Sequence, residues 1–235
     1  MSRFSTIREA CCAANRALPA TGLVDLTFGN VSICDREEGV IAIKPSGLGY
    51  DALGPHDIVI LSMEGEILSG TLRPSSDTPT HRRLYLGFPT IGAIVHTHSH
   101  HAVAFAQAAR EIPLLGTTHA DYFRTDVPVT RPMTEKEING EYEWETGNVI
   151  VERFKDIDPL ETPAVLVRNH GPFAWGPTGE KTVETAQALE IVAKIAAISL
   201  SLNSQSIAPS PTLIDKHFLR KHGPGAYYGQ ATRLV

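Results

Sequence analysis

Two short apolar runs each lead into a histidine. Ile91 to Val95 enters His96-Thr97-His98 directly, and Pro163 to Val167 runs into Asn169-His170-Gly171. Runs of this length, bounded by proline, glycine or asparagine, suit strands buried in a sheet. Side chains two apart on a strand share a face, so His96 and His98 present two imidazoles side by side. A metal needs a further ligand from another segment, and His170 is the candidate because it follows a matching run that belongs in the same sheet. Three imidazoles with an open position describe a catalytic divalent metal, zinc first by ligand type. An isolated H-x-H pair equally describes two satisfied surface residues, and it is the matching context of His170 that favours the metal. Of the ten histidines, four fall between His96 and His101. His100 and His101 belong to the helix that follows, while His56, His81 and His222 read as surface residues.

Around these runs the chain alternates between helical and extended patterns. Ile7, Ala10, Cys11, Ala14 and Leu18 recur at helical spacing over Thr6 to Leu18, ahead of Pro19 and Gly22. Gly39 to Ile43 and Asp57 to Leu61 read as short strands. Ser75-Ser76-Asp77 precedes a helix with Pro79 in its first turn that runs to about Leu86. Ser99 caps a helix through Ala109, and Thr134 with Glu137 forms the capping box of one continuing towards Glu152. Gly179 to Leu202 is the longest helix, and Leu213 to Lys221 is a last one stopped by Gly223. With no linker or repeat, residues 1–235 read as a single α/β domain, long enough to bury a core without staples.

Charge and cysteine usage exclude several classes of partner. Lys plus Arg number 21 against 26 Asp plus Glu, a formal net charge of −5, with no basic cluster to meet nucleic acid. Cys11, Cys12 and Cys34 are odd in number and form no C-x-x-C, which points to a reducing cytoplasm. Met1 to Leu18 lacks a signal-peptide core and no 18-residue apolar run occurs, so neither a membrane nor export by the usual route is expected. A small molecule is the expected partner.

Three small polar loops suit a phosphate monoester: Gly29 and Asn30 in Thr27 to Ser32, Lys44 with Ser46 and Gly47, and Ser75 with Ser76. Each loop alone is more often an ordinary turn. Asp121 and the Tyr227-Tyr228 pair are acid/base-capable groups in loops, where Asp and Tyr are mostly solvated or capping residues, and the pattern alone favours that reading.

Taken together, LTFGNVS (Leu26 to Ser32), IKPSG (Ile43 to Gly47), PSSDTPTH (Pro74 to His81), IVHTHS (Ile94 to Ser99), GTTHADYF (Gly116 to Phe123), INGEYEWETGNVI (Ile138 to Ile150), NHGPFAWG (Asn169 to Gly176) and LRKHG with AYYGQ (Leu219 to Gln230) resemble the class II (zinc-dependent) aldolase family. SSDTPTH, GTTHADYF and AYYGQ resemble its L-ribulose-5-phosphate 4-epimerase branch in particular. The resemblance implies an α/β/α sandwich around a mostly antiparallel sheet and a place in pentose catabolism, with arabinose and ascorbate breakdown both open as the source of substrate. It implies zinc, or another divalent ion, on His96, His98 and His170, with Asp77 as a further metal-side ligand. It also implies a phosphate site at Gly29, Asn30, Ser46, Gly47, Ser75 and Ser76, with Lys44 nearby. Asp121 and Tyr228 become the acid/base pair, reaching the metal site of a neighbouring subunit in a fourfold cyclic homotetramer, with His217 as a secondary polar contact.

Chemistry sets what such a site must do. The hydrogen on C4 of a ketopentose phosphate is not acidified by the distant carbonyl, so inversion there requires the carbon–carbon bond to break. A metal acting as Lewis acid stabilises the enediolate left by retro-aldol cleavage. The aldehyde half then turns over and the bond re-forms on its other face, which needs a proton donor or acceptor on each side. The nearest rival is a sugar-phosphate aldolase of the fuculose- or rhamnulose-phosphate type on the same fold. Resemblance places a longer Glu at position 77 in those aldolases, so Asp77 favours the epimerase. A zinc-binding regulatory or storage module would explain the histidines and leave the phosphate loops and Tyr228 without a role.

Overall fold

The chain, described over residues 3–229 by a computed structural model, opens with helix α1 (Ser5–Thr21). Cys11, Cys12, Ala14 and Leu18 line the buried side of α1, and Gly22 ends it at φ 70°, where an L side chain would be strained. Strands β1 (Asn30–Asp35), β2 (Val40–Ile43), β3 (Val59–Ser62) and β4 (Ile67–Ser69) then form an antiparallel meander. Helix α2 (Thr78–Gly87) leads to β5 (Ala93–His96), α3 (His100–Gln107) and the single turn α4 (Thr117–Ala120). The remaining elements are α5 (Glu135–Asn139), α6 (Tyr142–Arg153), β6 (Ala164–Leu166), β7 (Pro172–Gly176), α7 (Gly179–Leu202) and α8 (Pro211–His222).

All seven strands join one sheet in the order β4-β3-β2-β1-β5-β7-β6, and every named pair is antiparallel. The pleat sorts side chains to two covered faces. Val31, Val95 and Ala174 pack under α1, α3 and α7 with Leu18, Ala106, Leu189 and Ala193. Ile94, Phe173 and Trp175 pack on the other face with Leu84 and Tyr85 of α2 and Ile150 of α6. This is the expected three-layer α/β/α sandwich. Short antiparallel strands joined by hairpins account for the meander, whereas an alternation of helices and strands alone suits parallel units equally well.

Several elements differ from the sequence reading. Asn30–Asp35, whose first residues read as a polar loop, is a central strand, and β4 and β7 carry no strand signal in that reading. The capping box at Thr134 forms, with the Thr134 side chain accepting from the Glu137 backbone, but Gly140 separates α5 from α6 where one irregular helix was expected. His81 is fully buried rather than on the surface. It shares the inward face of α2 with Tyr85, one turn later. Cys11, Cys12 and Cys34 are free and buried. By length and composition α7 could cross a membrane. Part of that apolarity is accounted for by Val183, Ala186, Leu189, Val192, Ala193 and Ala196, which are buried against the sheet and the neighbouring helices, while Ile191, Ile195, Ile198 and Leu202 are exposed.

Candidate active site

His96 is the last residue of β5, paired across the sheet with Asn30 on one side and Phe173 on the other. It is 2% exposed, and its ring stacks on Phe173 with centroids 4.2 Å apart. Its Nδ1 lies 2.9 Å from the Pro172 carbonyl oxygen. A carbonyl only accepts, so Nδ1 carries the proton and Nε2 is left as a lone pair. His98 follows just past the strand, its Nε2 3.1 Å from that of His96. His170 occupies the turn between β6 and β7, reached through Asn169 at φ 62°. Gly171 is needed next to it, because a Cβ there would sit 2.9 Å from the Thr97 carbonyl and 3.3 Å from the His98 ring.

The three rings thus converge, with centroid separations of 5.0, 4.8 and 5.2 Å, and one ligand nitrogen from each lies within 4.8 Å of the others. Burial and the neighbouring imidazoles push His98 down and His170 to about 4, which keeps both neutral near pH 7. The His170 Nδ1 is buried with no hydrogen-bond partner. Neutral imidazoles crowded in this way, with one ring nitrogen orphaned, are a donor set that a divalent cation satisfies. The Pro172 carbonyl then acts as the outer partner that orients a ligand histidine.

Asp77 directly precedes α2, beside this cluster, and its side chain makes no capping bond to the helix. Its Oδ2 accepts from the Asn30 side-chain amide at 2.7 Å. Burial opposes its charge, but His96, His81 and the Asn30 amide outweigh that and hold the carboxyl below the usual range. The triad of close ligand atoms comprises the histidines alone, with Asp77 on the adjacent wall.

The histidines and Asp77 form one end of a cleft of about 360 Å³ that Gly29, Asn30, Lys44, Ser46, Gly47, Ser75 and Ser76 also line. Backbone bonds tie the Lys44 and Ser75 loops together, and the Asn30 side-chain amide, donating to the Ser75 hydroxyl at 3.1 Å, joins the first loop to them. Ser46 N–H donates to the Arg73 carbonyl and Ser75 N–H to that of Lys44, both at 3.0 Å. The Tyr50 hydroxyl donates to the carbonyls of Phe28 and Gly29. Gly29 has φ 83°, and a Cβ there would lie 3.0 Å from the His96 carbonyl, so the loop can approach β5 only as glycine. Lys44 is 2% exposed, with its ammonium 4.9 Å from the Tyr50 ring centroid and no carboxylate in an ion pair with it among the described residues. Burial pulls its pKa down. A buried ammonium without a counter-charge, facing a polar cleft, is suited to an anionic ligand.

Asp121 and Tyr228 do not line this cleft. Asp121 follows α4 and is held from α8, accepting two bonds from Arg220 at 3.0 and 2.7 Å and one from His217 at 3.0 Å. Burial opposes its ionisation, but Arg220 and His217 prevail and lower its pKa. Tyr228 is 60% exposed, with the Arg220 guanidinium and the Lys221 ammonium over its ring. Gln230, which completes the AYYGQ motif, and the tail to Val235 lie outside the described residues. The sequence reading missed Phe28, whose half-exposed ring lines the cleft and stacks on His98 at 5.7 Å. An aromatic directly before Gly29 was the available signal.

Comparison with known proteins adds a family. The model of the class II aldolase and adducin N-terminal domain matches residues 9–197. The chain belongs to that family. Among solved structures it is similar to an L-fuculose 1-phosphate aldolase, with a TM-score of 0.74 and 24% identity over 91% of this chain and 94% of that one. It is also similar to an L-fuculose-1-phosphate aldolase from Thermus thermophilus, with a TM-score of 0.66 and 26% identity over 86% and 98%. YgbL from Klebsiella pneumoniae, described as a putative aldolase/epimerase/decarboxylase, has a TM-score of 0.70 and 22% identity over 90% and 97%. These likenesses carry the class II aldolase fold.

Proposed function

We propose that this protein is a metal-dependent sugar-phosphate 4-epimerase that interconverts L-ribulose 5-phosphate and D-xylulose 5-phosphate. The observation that carries the reading is the cleft itself, with three converging imidazoles at one end and an unpaired, buried Lys44 among Ser- and Gly-rich loops at the other. His96, His98 and His170, with Asp77 beside them, would hold a divalent ion, zinc by ligand type, which would supply Lewis-acid chemistry.

The chain's own residues do the rest. Lys44, Ser46, Gly47, Ser75, Ser76, Gly29 and Asn30 hold the phosphate and keep the aldehyde half in the cleft after the C3–C4 bond breaks. In cleavage one acid/base group takes the C4 hydroxyl proton, and the bond electrons pass to the three-carbon half as an enediolate. Once the aldehyde has turned over, carbon–carbon bond formation uses those electrons, and the second group returns a proton to the new C4 oxygen. Asp121 and Tyr228 take these roles on opposite faces of the aldehyde. Their absence from the cleft of their own chain supports a neighbouring subunit as the recipient, in a homotetramer. Ile191, Ile195, Ile198 and Leu202 form an exposed apolar stripe at helical spacing on α7, which supports self-association.

A sugar-phosphate aldolase is the second reading, favoured by the fuculose-phosphate aldolases among the similar structures. Asp77, a methylene shorter than Glu and held by the Asn30 amide, supports the epimerase instead. Incubating the metal-loaded protein separately with L-ribulose 5-phosphate and L-fuculose 1-phosphate decides between them. Accumulation of D-xylulose 5-phosphate from the first, with little aldehyde released from the second, is expected. Rapid cleavage of the second without epimerisation of the first contradicts the assignment.

A further inference from the structure

Lys44 directly follows β2 and is buried, yet no carboxylate pairs with it among the described residues. Its hydrogen-bond acceptor there is the carbonyl of the adjoining Pro45, at a long 3.5 Å. An ammonium taken out of water without a counter-charge is unfavourable, and on a flexible four-carbon stem it needs something to fix its place. What lies against it is Tyr50, whose ring centroid is 4.9 Å from the ammonium nitrogen. The negative face of an aromatic ring attracts a cation within about 6 Å, most strongly where water is excluded.

Tyr50 is fixed in turn at its far end. It is 6% exposed, and its hydroxyl donates to the Phe28 and Gly29 carbonyls at 2.7 and 2.8 Å. Burial pushes its pKa up, so the proton that makes these bonds is retained. The approach depends on Gly29, where a Cβ would lie 3.3 Å from that hydroxyl. One side chain thus spans two of the polar loops, with the Gly29 loop at its hydroxyl and Lys44 on its ring. Tyr50 itself does not line the cleft, whereas Lys44, Phe28 and Gly29 all do. Its influence on a bound anion must therefore pass through them.

We propose that Tyr50 is a positioning residue for the anion end of the cleft: its ring holds the Lys44 ammonium in the place of a counter-ion, and its hydroxyl anchors that ring to the Gly29 loop. The inference rests on the phosphate reading given above. An aromatic face steadies a cation without neutralising it, so the whole positive charge of Lys44 is left for an incoming phosphate. A carboxylate in the same place would compete with that phosphate.

The test measures binding of inorganic phosphate, by calorimetry, to the zinc-loaded protein, to Tyr50→Phe, and to forms of that variant whose ring carries one, two or three fluorines. Fluorine drains the negative face of the ring and leaves its shape nearly unchanged, so a packing role does not respond to it. Affinity is expected to fall stepwise along the series, by roughly tenfold from the plain to the trifluorinated ring. In a Lys44→Met background binding should be weaker by about tenfold or more and indifferent to fluorine. A flat series with Lys44 present overturns the proposal, and so does an equal fall in both backgrounds, because fluorine would then act without the cation. Tyr50→Phe itself reads the anchor, with a loss of about two- to tenfold expected from the missing hydroxyl bond. Parental affinity in that variant overturns the anchoring part. Phosphate affinity untouched by Lys44→Met overturns the phosphate reading and this inference together, while a loss in Lys44→Met beside a flat fluorine series overturns this inference alone.

Discussion

His96 and Tyr228 are both assigned to one reaction, yet they sit in opposite surroundings. His96 ends a central strand, is 2% exposed and is fixed by a carbonyl bond and a stacked ring, whereas Tyr228 is 60% exposed near the end of the described chain. The cleft around His96 is made by neighbouring strands and loops laced to them, so its geometry is a by-product of the core. The patch around Asp121 and Tyr228 is made by α4 and α8 and by ion pairs at the surface, where cations already hold the carboxylate. One region has the form of a preorganised binding site. The other has acid/base groups whose partners are the neighbouring cations of α8.

If the cleft supplies metal and phosphate binding and the patch supplies proton transfer, substitutions in the two should fail differently. The largest effect is expected from His98→Ala, which leaves two imidazoles: zinc content by elemental analysis and turnover should fall together, turnover by roughly three orders of magnitude or more. Stoichiometric zinc with unchanged turnover would remove the triad from the account. Next come Asp121→Asn and Tyr228→Phe, which should keep their zinc while kcat drops about 10²- to 10⁴-fold, the usual range for general acid/base groups. Loss of zinc in either would place the patch inside the metal site and erase the contrast.

Lys44→Met separates binding from chemistry within the cleft. A charge-assisted bond to phosphate contributes about 1.5–3 kcal/mol, so KM should rise roughly ten- to a hundredfold with a smaller change in kcat. The same substitution removes a buried ammonium that lacks a counter-ion, so thermal unfolding should move to higher temperature. An unchanged KM argues that the phosphate binds elsewhere.

The smallest expected effect is a shift in pH dependence. Arg220 and His217 depress the Asp121 pKa, so the carboxylate, and any stability or activity that needs it, persists down to a lower pH than for an ordinary Asp and is lost as pH falls through the depressed value. Arg220→Gln should therefore move the acid limb of kcat/KM to higher pH. A limb that stays in place means another group sets it.

The same contrast governs what could be read from the sequence. His96 was legible as the histidine that ends an apolar strand and His170 because its context repeats that pattern, whereas His98 meets them from just past the strand end, where the two-residue strand period no longer applies. Ser32 was not legible, since a polar residue on a strand face is recognised as buried only once α2 lies over it, and Asn30 was read in a loop rather than at the start of a central strand. His81 was hidden for a related reason: Arg82 and Arg83 follow it in sequence, but the helix turns them aside and points His81 inward with Tyr85. The partners of Asp121 come from α8, about a hundred residues later, and no local pattern encodes that meeting.

The central claim is that the cleft of one subunit and the Asp121/Tyr228 patch of another make one active site, and mixing subunits tests it most directly. His98→Ala and Tyr228→Phe oligomers, each inactive alone, are unfolded together, refolded with zinc and assayed for conversion of L-ribulose 5-phosphate to D-xylulose 5-phosphate. Pairing an intact cleft with an intact patch across some interfaces should restore a substantial fraction of unsubstituted activity in the mixture. Activity no higher than either parent, in mixed oligomers verified by mass spectrometry, would contradict a shared site.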